Sequence, residues 1–170
     1  MRFLKSWAWV FLLVLGIQIL GPSTRLTIGA PVPPLKGDFV GGERLAAFPV
    51  EGRPSLIYFW GSWCPICRRM EGTLRDISTR YPVVSVALKS GDVDTVRSML
   101  EAKSLSFRTL VDPQGEIAET FGVQGVPALF FLDGSGRLRS VTVGYTTEIG
   151  IRLRLGWAAL FEGQAAPSAQ

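Results

Sequence analysis

The only two cysteines of this 170-residue chain form the motif Cys64-Pro65-Ile66-Cys67. The motif follows the apolar run 56–60 and a short turn, which is typical of a buried strand leading into a helix. The first sulfur would then lie at the helix N-terminus, where unpaired N–H groups and the helix dipole stabilise a thiolate. The second sulfur lies one turn deeper and can attack a mixed disulfide formed by the first. The spacing therefore indicates thiol–disulfide exchange.

Other uses of a cysteine pair fit this sequence less well. A structural disulfide across so short a loop would stabilise the fold little. A zinc site needs about four ligands, and the chain has no histidine and no further cysteine. Covalent haem attachment needs histidine directly after the second cysteine, and Arg68 stands there. Two-coordinate Cu(I) binding by Cys64 and Cys67 stays open as the alternative function. We expect no other metal site and no cofactor besides the redox-active pair.

An apolar segment near the N-terminus predicts export. From Trp7 to Leu20 only Gln18 is polar, and Arg2 and Lys5 precede the run. The run is a signal peptide or a membrane anchor. The best cleavage candidate, at Ala30, matches the small-residue pattern poorly, so we expect an anchor. Basic residues before the run keep that end in the cytoplasm, which places the remainder on the periplasmic or extracytoplasmic side.

The small net charge of the exported part bears on its partners. The net charge of +4 includes the two basic residues before the apolar run, so the exported part carries about +2. This charge is too small to predict a nucleic-acid partner.

We expect a cytoplasmic N-terminus (1–5), a membrane anchor (6–21), a proline-rich linker (22–34), one globular domain (35–162) and a flexible tail (163–170).

Hydrophobic periodicity in the domain alternates between strand and helix. A β-hairpin is expected over 37–45, with its turn at Gly41-Gly42. The predicted strands span 55–60, 83–88, 128–132 and 138–143, and the predicted helices span 65 to about 80, 92 to about 103, 116–121 and 148–161. This order predicts an α/β fold: a mixed central sheet with helices on both faces and an N-terminal hairpin extension.

Two motifs give this order a family resemblance, which runs from about Leu35 to Phe161. Trp60-Gly61-Ser62-Trp63-Cys64 resembles the approach to the thioredoxin active site, and Gly122-Val123-Gln124-Gly125-Val126-Pro127 resembles the loop with its cis-proline. The hairpin and anchor resemble the membrane-anchored TlpA and cytochrome c maturation reductase branch. Three segments are similar to the suppressor-of-copper-sensitivity protein D group, namely 84–92, 111–113 and 153–158.

The resemblance implies a role for each site residue. Cys64 would be the attacking thiolate and Cys67 the resolving thiol, while Trp63 would form the apolar rim beside Cys64. In the reduced domain we also expect Cys64 to be the exposed, acidic thiol and Cys67 the protected one, because only the first sulfur reaches the unpaired N–H groups at the helix start. Pro127 would take the cis form, which turns the Val126 main chain toward a substrate backbone. The protein would be a thiol–disulfide oxidoreductase, mostly a reductant, with a role under copper stress. Its partners would be exported proteins with thiols or disulfides and a membrane-embedded thiol donor or acceptor.

Two positions depart from the family pattern. Thioredoxin has a buried acid six residues before the attacking cysteine, and Tyr58 stands there. Cytochrome c maturation reductases have an acid in the loop after the second core strand, where this chain has Lys89-Ser90-Gly91. Removal of the proton from Cys67 therefore needs another route, and the resemblance does not extend to dedicated apocytochrome reduction.

Overall fold

The structure is a computed structural model that describes residues 26–41 and 48–161. The predicted anchor (6–21), the returning arm of the predicted hairpin and the predicted tail (163–170) lie outside these residues. None of the helices in the described ranges has the length and apolar character needed to cross a bilayer.

Strands and helices alternate along the described chain much as the periodicity predicts. The strands are β1 (Ser55–Trp60), β2 (Val83–Leu88), β3 (Arg108–Asp112), β4 (Ala128–Leu132) and β5 (Leu138–Val143). The helices are α1 (Pro65–Ser78), α2 (Val93–Ala102), α3 (Glu116–Thr120) and α4 (Glu148–Ala159). Strand β3 was not predicted, because it is short and begins and ends with charged residues. The other bounds agree with the prediction to within about two residues.

The strands form one mixed sheet in the order β3-β2-β1-β4-β5. Strands β1, β2 and β3 are parallel, whereas β4 runs antiparallel to β1 and β5 antiparallel to β4. Strand β1 therefore occupies the centre and is buried along its whole length. Its carboxyl end carries the turn that leads to Cys64, at the edge where parallel α/β sheets place their ligands.

Alternate side chains of the sheet build two separate cores. On one face, Tyr58 and Trp60 pack with the buried sides of α1, α2 and α4. On the other face, Phe59, Phe121 and Phe130 form a mainly edge-to-face aromatic cluster with ring centroids 5.3–5.4 Å apart, beside α3. Burial on both faces explains the continuous apolar runs of β1 and β4.

The described part of the predicted linker belongs to the domain. The Gly29 N–H donates to the Leu138 carbonyl at 2.7 Å, and the Leu138 N–H donates to the Ala30 carbonyl at 2.9 Å. Further along, the Val40 N–H donates to the Thr109 carbonyl at 2.9 Å, so the first arm of the predicted hairpin pairs with β3. The domain thus begins before the predicted boundary at residue 35, because main-chain pairing with distant strands holds this proline-rich segment.

Candidate active site

Cys64 and Cys67 form a disulfide at the start of α1, with Cα atoms 5.3 Å apart. Cys64 is the N-cap residue of this helix, and Pro65 follows in its first turn. The Cys67 N–H donates to the Cys64 Sγ at 3.1 Å. One of the N–H groups left unpaired at a helix start therefore points at the first sulfur, as the sequence predicted. In the reduced protein this donor and the helix dipole favour a Cys64 thiolate.

The loop before β4 covers the first sulfur. The Val126 carbonyl oxygen lies 3.6 Å from the Cys64 Sγ, and the Val126–Pro127 peptide bond is cis, as predicted. The exposed fraction is 4% for Cys64 and 2% for Cys67. In the disulfide form the Val126 backbone thus lies against the first sulfur, and the exposed Cys64 thiol expected for the reduced domain stays a prediction. The two sulfurs differ here in their hydrogen bonds rather than in their exposure.

Trp63 lies at the surface, directly beside Cys64. Its side chain is 57% exposed, and its indole N–H donates to the Leu88 carbonyl at 3.3 Å. The ring lies so close over Gly61 that a Cβ atom there would be 2.6 Å from it. Trp63 therefore lies beside the cysteine pair and outside the core. This is the position at which the sequence predicted an apolar rim.

Ser90 supports the same turn and was missed as a site residue. The Ser62 N–H donates to the Ser90 hydroxyl at 2.9 Å, and this hydroxyl donates to the Leu88 carbonyl at 3.0 Å. Ser90 is buried, and Lys89 before it has a positive φ of 46°. The sequence signal was available, since loops at the carboxyl ends of neighbouring parallel strands meet at one edge.

Tyr58 supplies no base for Cys67. It lies in the same buried core cluster as both cysteines. Burial raises the pKa of the Tyr58 phenol far above its ordinary value, and the charge of Glu71 raises it further. The phenol therefore stays protonated at physiological pH. Glu71 itself lies on α1 and forms an ion pair with Lys103, which follows α2.

A groove of about 490 Å³ lies between Trp63 and helix α3. Its lining includes the polar or charged side chains of Lys89, Gln114, Glu119 and Gln124 together with Trp63. A second groove, of about 550 Å³, is lined by residues that flank the start of β2, among them Tyr81 and Pro82, and touches none of the predicted site residues. The first groove is therefore the one that a substrate bound at Cys64 would meet.

The sequence match to known proteins decides the family. Residues 28–141 match the AhpC/TSA family. The chain belongs to this family. The match begins at Ile28, which agrees with a domain that includes the pairing of Gly29 with β5.

Two known bacterial proteins are similar to this chain in sequence. The chain is 37% identical over 112 residues to a thioredoxin-like protein of Haemophilus influenzae, covering 65% of this chain and 66% of that protein. It is 39% identical over 83 residues to the thiol:disulfide interchange protein DsbE homolog of Paracoccus denitrificans, covering 49% of this chain and 46% of that protein. The chain thus spans less than two thirds of the length of either relative.

A solved structure supports the same fold. A putative thiol:disulfide interchange protein DsbE from Chlorobium tepidum superposes with a TM-score of 0.70 at 22% identity, covering 79% of this chain and 99% of that one. The fold is therefore thioredoxin-like, as the motifs predicted. AhpC/TSA-family proteins of the thiol–disulfide oxidoreductase type use a redox-active cysteine pair, and Cys64 and Cys67 form this pair here.

Proposed function

We propose that the whole protein is an exported, membrane-tethered thiol–disulfide oxidoreductase that reduces other exported proteins. The observation that carries the proposal is the position of the Cys64 sulfur between the Cys67 N–H and the Val126 carbonyl. The N–H favours the thiolate, and the Val126 loop offers main-chain groups to an extended peptide. Main-chain recognition accepts many sequences, which suits a reductant with several substrates.

The exchange proceeds in two steps. The Cys64 thiolate attacks one sulfur of a substrate disulfide, forms a mixed disulfide and releases the other substrate sulfur as a thiolate. The Cys67 thiolate then attacks the Cys64 sulfur, closes the Cys64–Cys67 disulfide and releases the second substrate thiolate. The substrate gains two electrons and the cysteine pair loses two. A membrane-embedded thiol donor returns the pair to the reduced form.

Glu71 is our candidate to accept the proton of Cys67. The two residues are four positions apart on α1 and so share one face of the helix. The charge of Glu71 acts on Tyr58, which stands where thioredoxin has its buried acid. The carboxylate therefore lies near the position that the missing acid would occupy. Its ion pair with Lys103 holds the carboxylate in place on this face of the helix.

The site of action and the direction of electron flow follow from the apolar N-terminal run. A tether would hold the domain beside a membrane donor in a compartment that oxidises thiols. Copper promotes wrong disulfides there, so a role under copper stress is consistent with a reductant. Cu(I) binding by the cysteine pair is the alternative, and tight Cu(I) retention without any exchange activity would favour it.

Removal of the resolving sulfur tests the proposal. Cys67→Ala should accumulate mixed disulfides with exported proteins, because attack by Cys64 survives while release of the substrate is lost. The complexes would be detected on non-reducing gels of acid-quenched cells and should disappear after reduction. The matched control is Cys64→Ala with Cys67→Ala, in which they should be absent. Complexes that persist in the double variant would overturn the assignment of Cys64.

A further inference from the structure

Helix α4 is apolar on two opposite faces. Ile151, Leu155 and Ala158 face the core and are fully buried. On the other side, a second stripe repeats at helical spacing and is open to solvent. Its members, hereafter the outer stripe, are Ile149, Leu153, Trp157 and Leu160, with exposed fractions of 71%, 68%, 45% and 79%. A surface helix of a globular protein normally carries charged or polar residues on the face opposite its buried stripe, so a second apolar face indicates a further contact.

Nothing in the described ranges covers the outer stripe, although its aromatic residue is held in place. Trp157 packs edge-to-face against Phe161, with ring centroids 5.1 Å apart. The Arg139 guanidinium lies 4.0 Å from the centre of the Phe161 ring. Ordered contacts thus hold a tryptophan at the surface. Tryptophan is enriched at surfaces that contact a partner, including the membrane–water interface.

The N-terminal segment enters the domain close to this end of α4. The Arg137 side chain donates to the Gly29 carbonyl at 2.9 Å, and Arg139, two residues on, contacts Phe161 at the end of α4. The apolar run 7–20 precedes Gly29 in the chain and predicts a membrane anchor. An anchor joined at this place would bring the end of α4 toward the bilayer.

We propose that the outer stripe of α4 docks on the lipid bilayer that holds the anchor. This inference rests on the proposed tether. An interfacial helix buries its apolar face about 5–10 Å into the boundary between headgroups and acyl chains. Docking of α4 would fix the orientation of the domain, so that Cys64 keeps one height and direction relative to a membrane-embedded thiol donor.

Quenching of Trp157 by lipid tests the docking. The full chain would be reconstituted into vesicles whose lipids are brominated near the top of the acyl chains, and its tryptophan fluorescence compared with that of Trp157→Phe. The difference reports Trp157 alone, although the chain has five tryptophans. We expect strong quenching of this difference signal. Quenching should be lost in Leu153→Glu with Leu160→Glu, and retained in the charge-matched control Ser98→Glu with Thr120→Glu.

Two further measurements on the same vesicles distinguish a failure of the docking proposal from a failure of the proposed function. Vesicle flotation reports the tether, and insulin reduction reports thiol exchange. Flotation and reduction without quenching of Trp157 would overturn the docking alone, whereas failure to float would overturn the tether and the docking together. The full chain could instead form a dimer in detergent. If Leu153→Glu with Leu160→Glu abolished that dimer, the stripe would be assigned to a second copy and lipid docking would be overturned.

Discussion

At the scale of single residues, the active site depends on a hydroxyl group that takes no part in the chemistry. Ser90 accepts the Ser62 N–H and donates to the Leu88 carbonyl, which also accepts the Trp63 indole N–H. The turn before Cys64 is therefore attached to the loop after β2 at two adjacent points. A change of a few tenths of an ångström in this turn would move Cys64 relative to Val126.

Ser90→Ala should slow disulfide exchange while the domain stays folded. The substitution leaves the partly buried Ser62 N–H without its acceptor, which costs about 1 kcal/mol of unfolding free energy. Misplacement of Cys64 should lower the rate of insulin reduction by roughly tenfold. Stopped-flow exchange and urea unfolding would measure the two effects. The control Ser98→Ala removes an exposed hydroxyl of α2 and should change neither; equal rates for both variants would contradict the role of Ser90.

Glu71→Gln should slow the resolving step in particular. The amide keeps the shape of the side chain but cannot accept a proton, so the rate of mixed-disulfide resolution should fall by about tenfold or more at neutral pH. The loss should shrink at high pH, where hydroxide removes the Cys67 proton. A pH profile of single-turnover resolution would show this. Glu101→Gln on α2 is the control, and a pH-independent loss would mean that Glu71 acts through structure only.

At the scale of elements, one buried carboxylate organises the β4–β5 turn. Asp133 accepts the Ser135 N–H at 2.9 Å, the Arg137 N–H at 3.0 Å and the Arg139 Nε–H at 2.6 Å. Burial opposes the ionisation of Asp133, but these donors outweigh burial and hold its pKa below the ordinary value. The turn thereby fixes Arg137 and Arg139, the two side chains that contact the N-terminal segment and the end of α4.

Asp133→Asn should destabilise the domain at neutral pH and less so in acid. Loss of the charge leaves the largely buried Arg139 unpaired, which costs roughly 3 kcal/mol. Because the folded-state pKa is lowered, the carboxylate stabilises the wild type fully above about pH 4, and this contribution is lost as the pH falls through the lower folded value. Urea unfolding at pH 7 and pH 3 would test this. The exposed Asp76→Asn is the control, and a pH-independent difference would contradict the assignment.

Elements with strong periodicity could be predicted from sequence, whereas features that depend on distant contacts could not. The run before Cys64 fixed β1, and Asp92 was correctly expected to begin α2, whose Thr95 N–H it accepts at 2.9 Å. The pairing of Gly29 with β5 was missed, because its partner is more than a hundred residues away and the local composition is typical of a linker. Ser90 was missed because its contact with Ser62 depends on the order of the strands in the sheet, which the local sequence around Ser90 does not indicate.

At the scale of the whole molecule, the redox state of the cysteine pair in cells tests whether the proposed tether keeps the protein working as a reductant. We expect Cys64 and Cys67 to be largely reduced, because a membrane donor would keep them so against an oxidising surrounding. Acid quenching of growing cells, followed by thiol tagging and gel shift, would measure the ratio. Loss of membrane thiol donors should convert the pair to the disulfide. A pair that is mostly oxidised with the donors present would indicate an oxidase instead.

The N-terminal segment also bears on how the molecule avoids aggregation. Between Gly29 and Val40 it pairs first with the beginning of β5 and then with the middle of β3, the two outer strands of the sheet. Exposed outer strands are templates on which other chains add strands, and crowding on a membrane surface would increase that hazard. Because the segment covers part of each outer strand, it would favour the proposed site at the Val126 loop as the place where an extended substrate adds its backbone, directly beside Cys64.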